Sequence, residues 1–345
     1  MEYDIVIATR NRKLALELSI PLMLSQGRRP RRLIIVDSSD NHHEIRDAVD
    51  KIWRRADQEM ELQIIRSEPG AAYQRNVGLN YVHSPVVMFP DDDSLWFPGV
   101  ADAVMQIYER DHENLIGAVC GTPSRTPPPG IMEEARSRYS MGFRDRLQRL
   151  VGGLLDGFEG KLDPLFVEGL EKIQRRPKPV WLAEENAILV GPMTGFRMTF
   201  RTGLIREIRF DETLGRYSLF EDRDASLGTL EESVIVQANK AKIFHYRSPE
   251  KRVSGLGWGV MHILNRAYVV CKHSVNVSLA RRLLKRYSYY KLGRYLLQAQ
   301  SAYGRQRVIG AWRGITCLEE MLKSPREELT SIYLELRSMC LDKRG

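Results

Sequence analysis

The sequence predicts an α/β protein in which a mostly parallel sheet is covered by helices on both faces. Short, continuous apolar runs alternate with amphipathic segments of helical length through the first third of the chain. These runs lack the polar–apolar alternation of a sheet that has one face in solvent, so each strand is expected to be buried on both sides. Polar residues follow several runs directly, at the edge where ligands bind in such sheets.

The elements follow one another in a regular order. Strands are predicted at 5–8, 33–36, 62–65, 85–89 and 115–120. Helices are predicted between them, at 14–24, 43–60, 73–82 and 98–110. The later chain is expected to hold a Pro-rich loop at 122–130, a charged helical insertion at 133–176, strands at 187–190, 195–200 and 241–246, and basic helices from about residue 257.

Composition bounds the architecture and the partners. A chain of 345 residues with 43% hydrophobic residues suits a packed protein with one large domain and an appendage, or with two domains. The net charge is +8, and Glu250 is the only acidic residue between Tyr246 and Cys317. Such a stretch attracts phosphates, anionic lipid headgroups or nucleic acid, although a solvated helical face has the same composition.

Cysteine usage and hydrophobicity bear on localisation. The four cysteines are scattered without zinc spacing, which is typical of a reducing compartment. The acidic start of the chain leads directly into a strand and does not resemble a signal peptide. The most apolar long stretch, 256–271, contains His262, Asn265 and Arg266, so no membrane-spanning helix is expected. We therefore expect a cytoplasmic protein.

The most informative feature is the triplet Asp91, Asp92 and Asp93, which directly follows an apolar run. Carboxylates gathered where a buried strand ends are costly unless a cation lies among them. A hard divalent metal that carries a phosphorylated ligand suits this position. In an extended segment Asp91 and Asp93 point to one side and Asp92 to the other. The alternative is an acidic loop that caps the helix expected near Pro98.

A second acidic cluster, 221–224, lies far downstream and contains Glu221, Asp222 and Asp224. Together the two clusters suggest metal-assisted group transfer from a nucleotide-activated donor. Thr9, Asp37 and Asp91 each follow a predicted strand, and we expect them to converge on one crevice. The alternative for Glu221 and Asp222 is that they cap a helix that begins near residue 225.

Further motifs place these residues in a series. In chain order the motifs lie at 5–12, 34–39, 70–78, 89–93, 195–201, 210–212 and 221–224. Their order and spacing resemble glycosyltransferase family 2, the inverting sugar transferases of the GT-A fold, over about residues 1–275. The resemblance implies a nucleotide-sugar-binding and catalytic domain at 1–250, with the helical insertion at about 132–180, and a helical C-terminal region at 251–345.

The resemblance also implies roles for matching residues. The nucleotide would be bound by Thr9, Arg10, Asn11, Asp37, Arg75, Asn76, Asp91 and Asp92. Mg²⁺ or Mn²⁺ would be bound by Asp93, Asp91 and His245, and the catalytic residues would be Asp222, as the base, and its neighbour Glu221. Simpler alternatives remain open, because Asp37 could cap a loop, Arg75 could form a surface ion pair, and His245 could be a satisfied strand-end histidine.

The implied function is inverting, metal-dependent transfer of a sugar from a nucleotide-diphosphate donor to a hydroxyl of a saccharide or lipid-linked acceptor. Surface polysaccharide or glycolipid assembly would suit it, with the basic helices docked on an anionic inner membrane leaflet; a homodimer is also permitted. Two other functions compete. Nucleotidyl transfer usually needs a glycine-rich signature that 9–12 lacks, and a basic nucleic-acid-binding protein would need a recognition motif that the chain does not show.

Overall fold

The computed structural model describes residues 1–55, 60–131, 162–247 and 253–342. Its strands are β1 Tyr3–Thr9, β2 Arg32–Asp37, β3 Glu61–Arg66, β4 Val86–Phe89, β5 Ser94–Trp96, β6 Ile116–Ser124, β7 Ala187–Leu189, β8 Met198–Arg201 and β9 Val234–His245. They form one mixed sheet in the order β3-β2-β1-β4-β8-β6-β9-β5, with β7 paired to β9. The first four strands run parallel, whereas β8, β5 and β7 pair antiparallel with their neighbours. The predicted α/β class is confirmed.

Helices surround this sheet. In the described part of the chain the helices are α1 Lys13–Leu24, α2 His42–Trp53, α3 Ala71–Leu79, α4 Val100–Arg110, α5 Pro164–Gln174, α6 Thr202–Ile208, α7 Glu221–Thr229, α8 Gly255–His273, α9 Val277–Leu296, α10 Ala302–Thr316, α11 Leu318–Lys323 and α12 Leu329–Asp342. Among the described residues, none of these helices is both long enough and apolar enough to cross a membrane.

Both faces of the sheet are buried, which explains the continuous apolar runs. Val6 of β1 belongs to one apolar core, and its neighbours Ile5 and Ile7 belong to another. The first core also contains side chains of α3, α7 and the C-terminal helices, and the second contains side chains of α1, α2 and α4. Each strand residue therefore buries its apolar side chain against one of two helical layers. This burial stabilises the fold by roughly 25 cal/mol per Å² of apolar surface removed from water.

Several boundaries differ from the sequence prediction. The helix predicted at 43–60 ends at Trp53, and residues 56–59 lie outside the described part. Strand β5 was not predicted, and β9 begins at residue 234 instead of 241. The strand predicted at 195–200 begins with a 3₁₀ turn over 195–197. Much of the predicted insertion, 132–161, lies outside the described residues, and α5 occupies its C-terminal part. The predicted domain boundaries stay a prediction.

Glycines bring two C-terminal helices, α8 and α10, into backbone contact. A Cβ atom at Gly259 of α8 would lie 2.3 Å from the carbonyl oxygen of Arg307 on α10. A Cβ atom at Gly310 of α10 would lie 2.1 Å from the carbonyl oxygen of Leu256 on α8. Backbone atoms cannot move aside as flexible side-chain ends can, so these positions have no room for a larger residue.

We expect Gly310→Ala to destabilise the protein by about 3 kcal/mol, because the added methyl group would force α8 and α10 apart. Gly293→Ala is the matched control in α9, since nothing lies within 4 Å of the Cβ atom that it would add. The control is expected to raise stability by roughly 0.5–1 kcal/mol, the usual gain from Gly to Ala in a helix. Urea unfolding of both variants measures this, and equal stabilities would contradict the close helix contact.

Candidate active site

A cleft of about 680 Å³ opens at the carboxyl ends of the parallel strands. Predicted site residues from widely separated parts of the chain line it: Thr9, Arg10, Arg75, Asp91, Asp92, Glu221, Asp222 and His245. The two acidic clusters therefore meet in one cleft, as the sequence predicts. Another cavity, of about 590 Å³, lies between α1 and α2, and neither acidic cluster lines it.

Three side chains in the cleft could hold a metal ion. One ligand atom from each of Asp91, Asp93 and His245 lies within 4.8 Å of the others, and Asp93 Oδ1 is 3.2 Å from His245 Nε2. Strand β5 brings them together, because Ser94 pairs with His245 at the end of β9. Two carboxylates and one imidazole suit Mn²⁺, and the carboxylates also suit Mg²⁺. This donor set fits a divalent metal.

The imidazole of His245 is held in place from two sides. Its ring stacks on Phe196, with centroids 4.7 Å apart and an angle of 14° between the planes. Burial would lower the pKa of His245, but its hydrogen bond to Asp93 and the nearby charge of Asp91 raise that pKa above the ordinary value. Phe196 was not singled out from the sequence, although it lies within the 195–201 motif. Its contact orients the ring toward the aspartates.

Arg75 joins the two acidic clusters. Its guanidinium donates to Asp91 at 2.7 Å and also to Glu221, and only 4% of the residue is exposed. A buried arginine between two carboxylates fixes their positions, because it can donate to both through a rigid fork. The surface ion pair considered for Arg75 from the sequence is thus replaced by a buried one at the centre of the cleft.

Asp92 lines the cleft and makes its contacts with residues at and just after the end of β1. It accepts hydrogen bonds from Thr9 and from Arg12, each at 2.8 Å, and Arg12 also approaches Asp93 at 3.5 Å. Burial raises the pKa of Asp92 to about 7, against the lowering effect of Arg12. The extended alternation predicted for the triplet is not found, because residues 92 and 93 lie in a turn that the N–H of Ser94 closes on the carbonyl of Asp91 at 3.0 Å. Arg12, which was not assigned from the sequence, pairs with both Asp92 and Asp93.

Asp222 lies in the first turn of α7 and faces the cleft. Its Oδ2 accepts from the backbone N–H of Gly195 at 2.9 Å, and its Oδ1 accepts from the N–H of Arg223 at 2.8 Å. Phe220, the N-cap residue of this helix, has a left-handed backbone with φ of 79°. The two backbone donors hold the carboxylate in a fixed orientation, and the start of the helix favours its negative charge.

The helix expected near residue 225 begins four residues earlier, at Glu221. Neither Glu221 nor Asp222 is its N-terminal cap, because both lie inside the first turn. Glu221 is instead bound to Arg75. Burial raises the pKa of Glu221 to about 8, and the nearby negative charge of Asp222 adds to the shift while Arg75 opposes it.

Asp37 lies at the same sheet edge but does not line the cleft. It is fully buried, accepts from the backbone N–H of Ser39 at 2.9 Å, and is 2.7 Å from Nδ1 of His42. Contact with a nucleotide base would require the fully buried Asp37 to become accessible. Its predicted role stays a prediction.

Two other predicted nucleotide ligands also lie away from the cleft lining. The amide of Asn76 bonds both the carbonyl and the N–H of Phe210, at 2.8 and 3.0 Å, and donates to Glu212. Asn11 is bound to Ser39 and Asp40. The contacts of Asn76 hold the segment that leads to the second acidic cluster, so we place it among the supports of the cleft and not among its ligand contacts.

A buried ionic cluster ties α7 to α8 and was missed by the sequence analysis. Asp224, which is 2% exposed, pairs with Lys272 at 2.9 Å and with His273 at 2.8 Å. Lys272 also pairs with Asp211 at 2.8 Å, and the hydroxyl of Tyr268 donates to that carboxylate. These contacts fix the helix that carries Asp222 against the C-terminal region. The only sequence signal is the third acidic residue of 221–224.

Comparison with known proteins identifies the family. The model of glycosyl transferase family 2 matches residues 4–174, a segment that includes Thr9, Arg75 and the aspartate triplet. Residues 4–174 form a glycosyltransferase family 2 domain. The predicted resemblance and the predicted enzyme class are thereby confirmed, and the nucleotidyltransferase and the non-enzymatic nucleic-acid-binding protein lose their support. No curated protein matches the chain.

Solved structures of glycosyltransferases share the fold of this chain. Residues 1–349 of S. aureus TarS, in complex with UDP-GlcNAc, align with a TM-score of 0.53 at 14% identity, covering 98% of this chain and 91% of that one. The mannosyltransferase PcManGT from Pyrobaculum calidifontis, in complex with GDP-Man and Mn²⁺, aligns with a TM-score of 0.50 at 14% identity, covering 100% and 88%. The predicted GT-A-type fold is confirmed.

Proposed function

We propose that this enzyme transfers a sugar from a nucleotide-diphosphate donor to an acceptor hydroxyl, with inversion at the anomeric carbon and with Mg²⁺ or Mn²⁺ as cofactor. One observation carries the proposal. At the cleft lie Asp91, Asp93 and His245, which could hold a metal, and a separate oriented carboxylate, Asp222. The buried Arg75 joins the two acidic clusters.

The charge of the cleft suits a diphosphate. Five arginines line the cleft: Arg10, Arg12, Arg75, Arg216 and Arg247. Arginine guanidinium groups bind phosphate oxygens through two parallel hydrogen bonds. The neighbouring structures hold UDP-GlcNAc and GDP-Man, which supports a nucleotide sugar as donor and leaves the base open.

Asp91, Asp93 and His245 would hold the metal. When bound there, a divalent metal supplies positive charge that stabilises the leaving nucleoside diphosphate. The protein contributes the placement of the ligands. Arg75 fixes Asp91, and Phe196 fixes the ring of His245, so that little reorganisation is needed when the donor binds.

Asp222 serves as the base in this proposal. Its carboxylate, held by the N–H groups of Gly195 and Arg223, accepts the proton of the acceptor hydroxyl. The acceptor oxygen forms its bond to the anomeric carbon on the face opposite the leaving group, and the bond from that carbon to the diphosphate oxygen breaks. Glu221 remains paired to Arg75 and thereby holds the two acidic clusters together.

The stereochemistry of the product tests this function. The purified full chain is incubated with Mn²⁺ and a panel of α-linked UDP, GDP and dTDP sugars, and the product's anomeric configuration is read by proton NMR. A β-linked product is expected, because a single displacement inverts the centre. An α-linked product would contradict the mechanism, and no turnover of any donor by folded protein would contradict the proposed activity.

We also propose that α9 and α10 dock on an anionic membrane that holds a glycolipid or polysaccharide acceptor. No acidic residue occurs between Val253 and Cys317, and Arg281, Arg282 and Arg286 are exposed on α9. Leu297, at 75%, and Trp312, at 51%, add exposed apolar surface. Basic and apolar residues together favour anionic bilayers. We expect more of the protein to sediment with anionic liposomes than with neutral ones. Equal recovery of the protein with both liposomes would contradict docking, as would a homodimer that buries this face.

A further inference from the structure

One wall of the cleft is aromatic. Phe196, Tyr217 and Phe220 all line it. Phe196 stacks on His245, and Phe220 is 9% exposed and lies under the guanidinium of Arg266 at 4.4 Å. Tyr217, in contrast, keeps 39% of its surface exposed. An aromatic ring that is exposed inside a cleft is a candidate contact for a ligand, because it offers a broad apolar face with a polar end.

The ring of Tyr217 has a built support. It meets Trp258 of α8 edge to face, with centroids 5.8 Å apart and an angle of 69° between the planes. Trp258 in turn stacks on the buried His262, at 6.4 Å and 21°. Trp258 and His262 therefore support the ring of Tyr217 from within the protein. Two-torsion aromatic side chains held in this way make rigid contacts that lose little entropy when a ligand binds.

The backbone around Tyr217 is fixed as well. The carbonyl of Arg216 accepts from the N–H of Ala71, and the hydroxyl of Ser218 accepts from the N–H of Ala72, at 3.2 and 3.3 Å. Both donors belong to the start of α3, the helix that carries Arg75. Tyr217 is thus anchored to the same helix that joins the two acidic clusters.

The same segment carries the proposed base. Only four residues separate Tyr217 from Asp222, and within them Ser218 and Phe220 adopt left-handed backbone with φ of 49° and 79°. Such conformations are costly for residues other than glycine and persist where the surroundings enforce them. This turn places an aromatic face and an oriented carboxylate on the same cleft.

We infer that Tyr217 is the platform of an acceptor subsite and that the acceptor is a pyranose ring. The C–H face of the sugar packs on the phenol ring, and one of its hydroxyl groups reaches Asp222. A pyranose chair presents a rigid C–H face to this contact, whereas an open-chain polyol or a lipid alcohol does not. The inference rests on the proposed function and specifies its acceptor class.

The test compares acceptors and variants in the full chain with Mn²⁺. The acceptor probes are methyl glycosides of glucose, galactose, mannose and N-acetylglucosamine, beside glycerol, ribitol and a long-chain alcohol. We expect transfer to at least one methyl glycoside in preference to the other probes. Tyr217→Ala is expected to raise the acceptor KM roughly tenfold or more, and Tyr217→Phe, which keeps the ring, to stay within about threefold.

Donor hydrolysis without acceptor separates this subsite from the proposed function. In Tyr217→Ala we expect transfer to the methyl glycoside to fall far more than donor hydrolysis, because the proposed platform contacts the acceptor. Tyr81→Ala is the matched control, since Tyr81 is 43% exposed and does not line the cleft. An unchanged acceptor KM in Tyr217→Ala, or transfer only to polyols or the long-chain alcohol, would overturn the inference while leaving donor turnover intact. Absence of donor turnover in the wild type would overturn the proposed function itself.

Discussion

Asp222→Asn is expected to reduce sugar transfer by roughly 10²–10⁴-fold, the usual contribution of a positioned general base. Asparagine keeps the shape of the side chain and can still accept one of the two backbone hydrogen bonds, from Gly195 or Arg223. It cannot take a proton from the acceptor hydroxyl. The loss should therefore appear in kcat, and donor binding should be preserved. Steady-state kinetics with a donor that the wild type uses measure kcat and donor KM, and a melting curve shows whether the variant is folded.

Glu221→Gln is the neighbouring control, because both carboxylates lie in the first turn of α7. Glu221 is paired with the buried Arg75, so its removal leaves that guanidinium with Asp91 as its carboxylate partner. We expect lower thermal stability and a smaller loss of kcat than in Asp222→Asn. Full transfer by Asp222→Asn together with an inactive, folded Glu221→Gln would assign the base to Glu221 instead.

Asp93→Asn is expected to weaken Mn²⁺ binding at least tenfold and to abolish most of the sugar transfer. The substitution removes one of two charged oxygen ligands in a set of three, and the neighbouring His245 loses its anionic partner. Mn²⁺ binding can be followed by the loss of the free-ion EPR signal during titration, which reports on the site without a need for activity.

Asp92→Asn is the matched control for the metal site, since it removes the same charge one residue away. Asp92 is bound to Thr9 and Arg12 and does not belong to the proposed ligand set. We expect this variant to lose stability, because Arg12 loses its closest carboxylate partner, but to keep Mn²⁺ affinity within about threefold of the wild type. Equal losses of Mn²⁺ affinity in the two variants would contradict the assignment of Asp91, Asp93 and His245 as the ligand set.

The parts of the fold that were predictable are those set by local sequence. Strands β1 to β4 and the helices between them show as continuous apolar runs and amphipathic segments, and the triplet begins one residue after Pro90, just past β4. Strand β5 is only three residues long and gains its identity from pairing with β9. The start of β9 was missed because Gln237, Asn239 and Lys240 interrupt its apolar pattern. Non-local pairing carries no local signal.

For the candidate site, residue type was more predictable than side-chain direction. The motif series collected Asp37 and Asn76 with the cleft residues, but the structure turns Asp37 toward His42 and Asn76 toward Phe210. It also gives Arg12 and Phe196 supporting positions that their motifs could not indicate. A sequence motif indicates which groups lie near the end of a strand, whereas tertiary packing decides which of their side chains face the cleft.

Calorimetric titration of a nucleoside diphosphate, UDP or GDP, with and without Mn²⁺ tests the central claim most directly. The claim is that one cleft holds the metal and the donor together, so each must tighten the binding of the other by the same factor. We predict at least about tenfold tighter nucleotide binding with Mn²⁺, and loss of that gain in Asp93→Asn. Nucleotide affinity that is equal with and without Mn²⁺ in the wild type would contradict it.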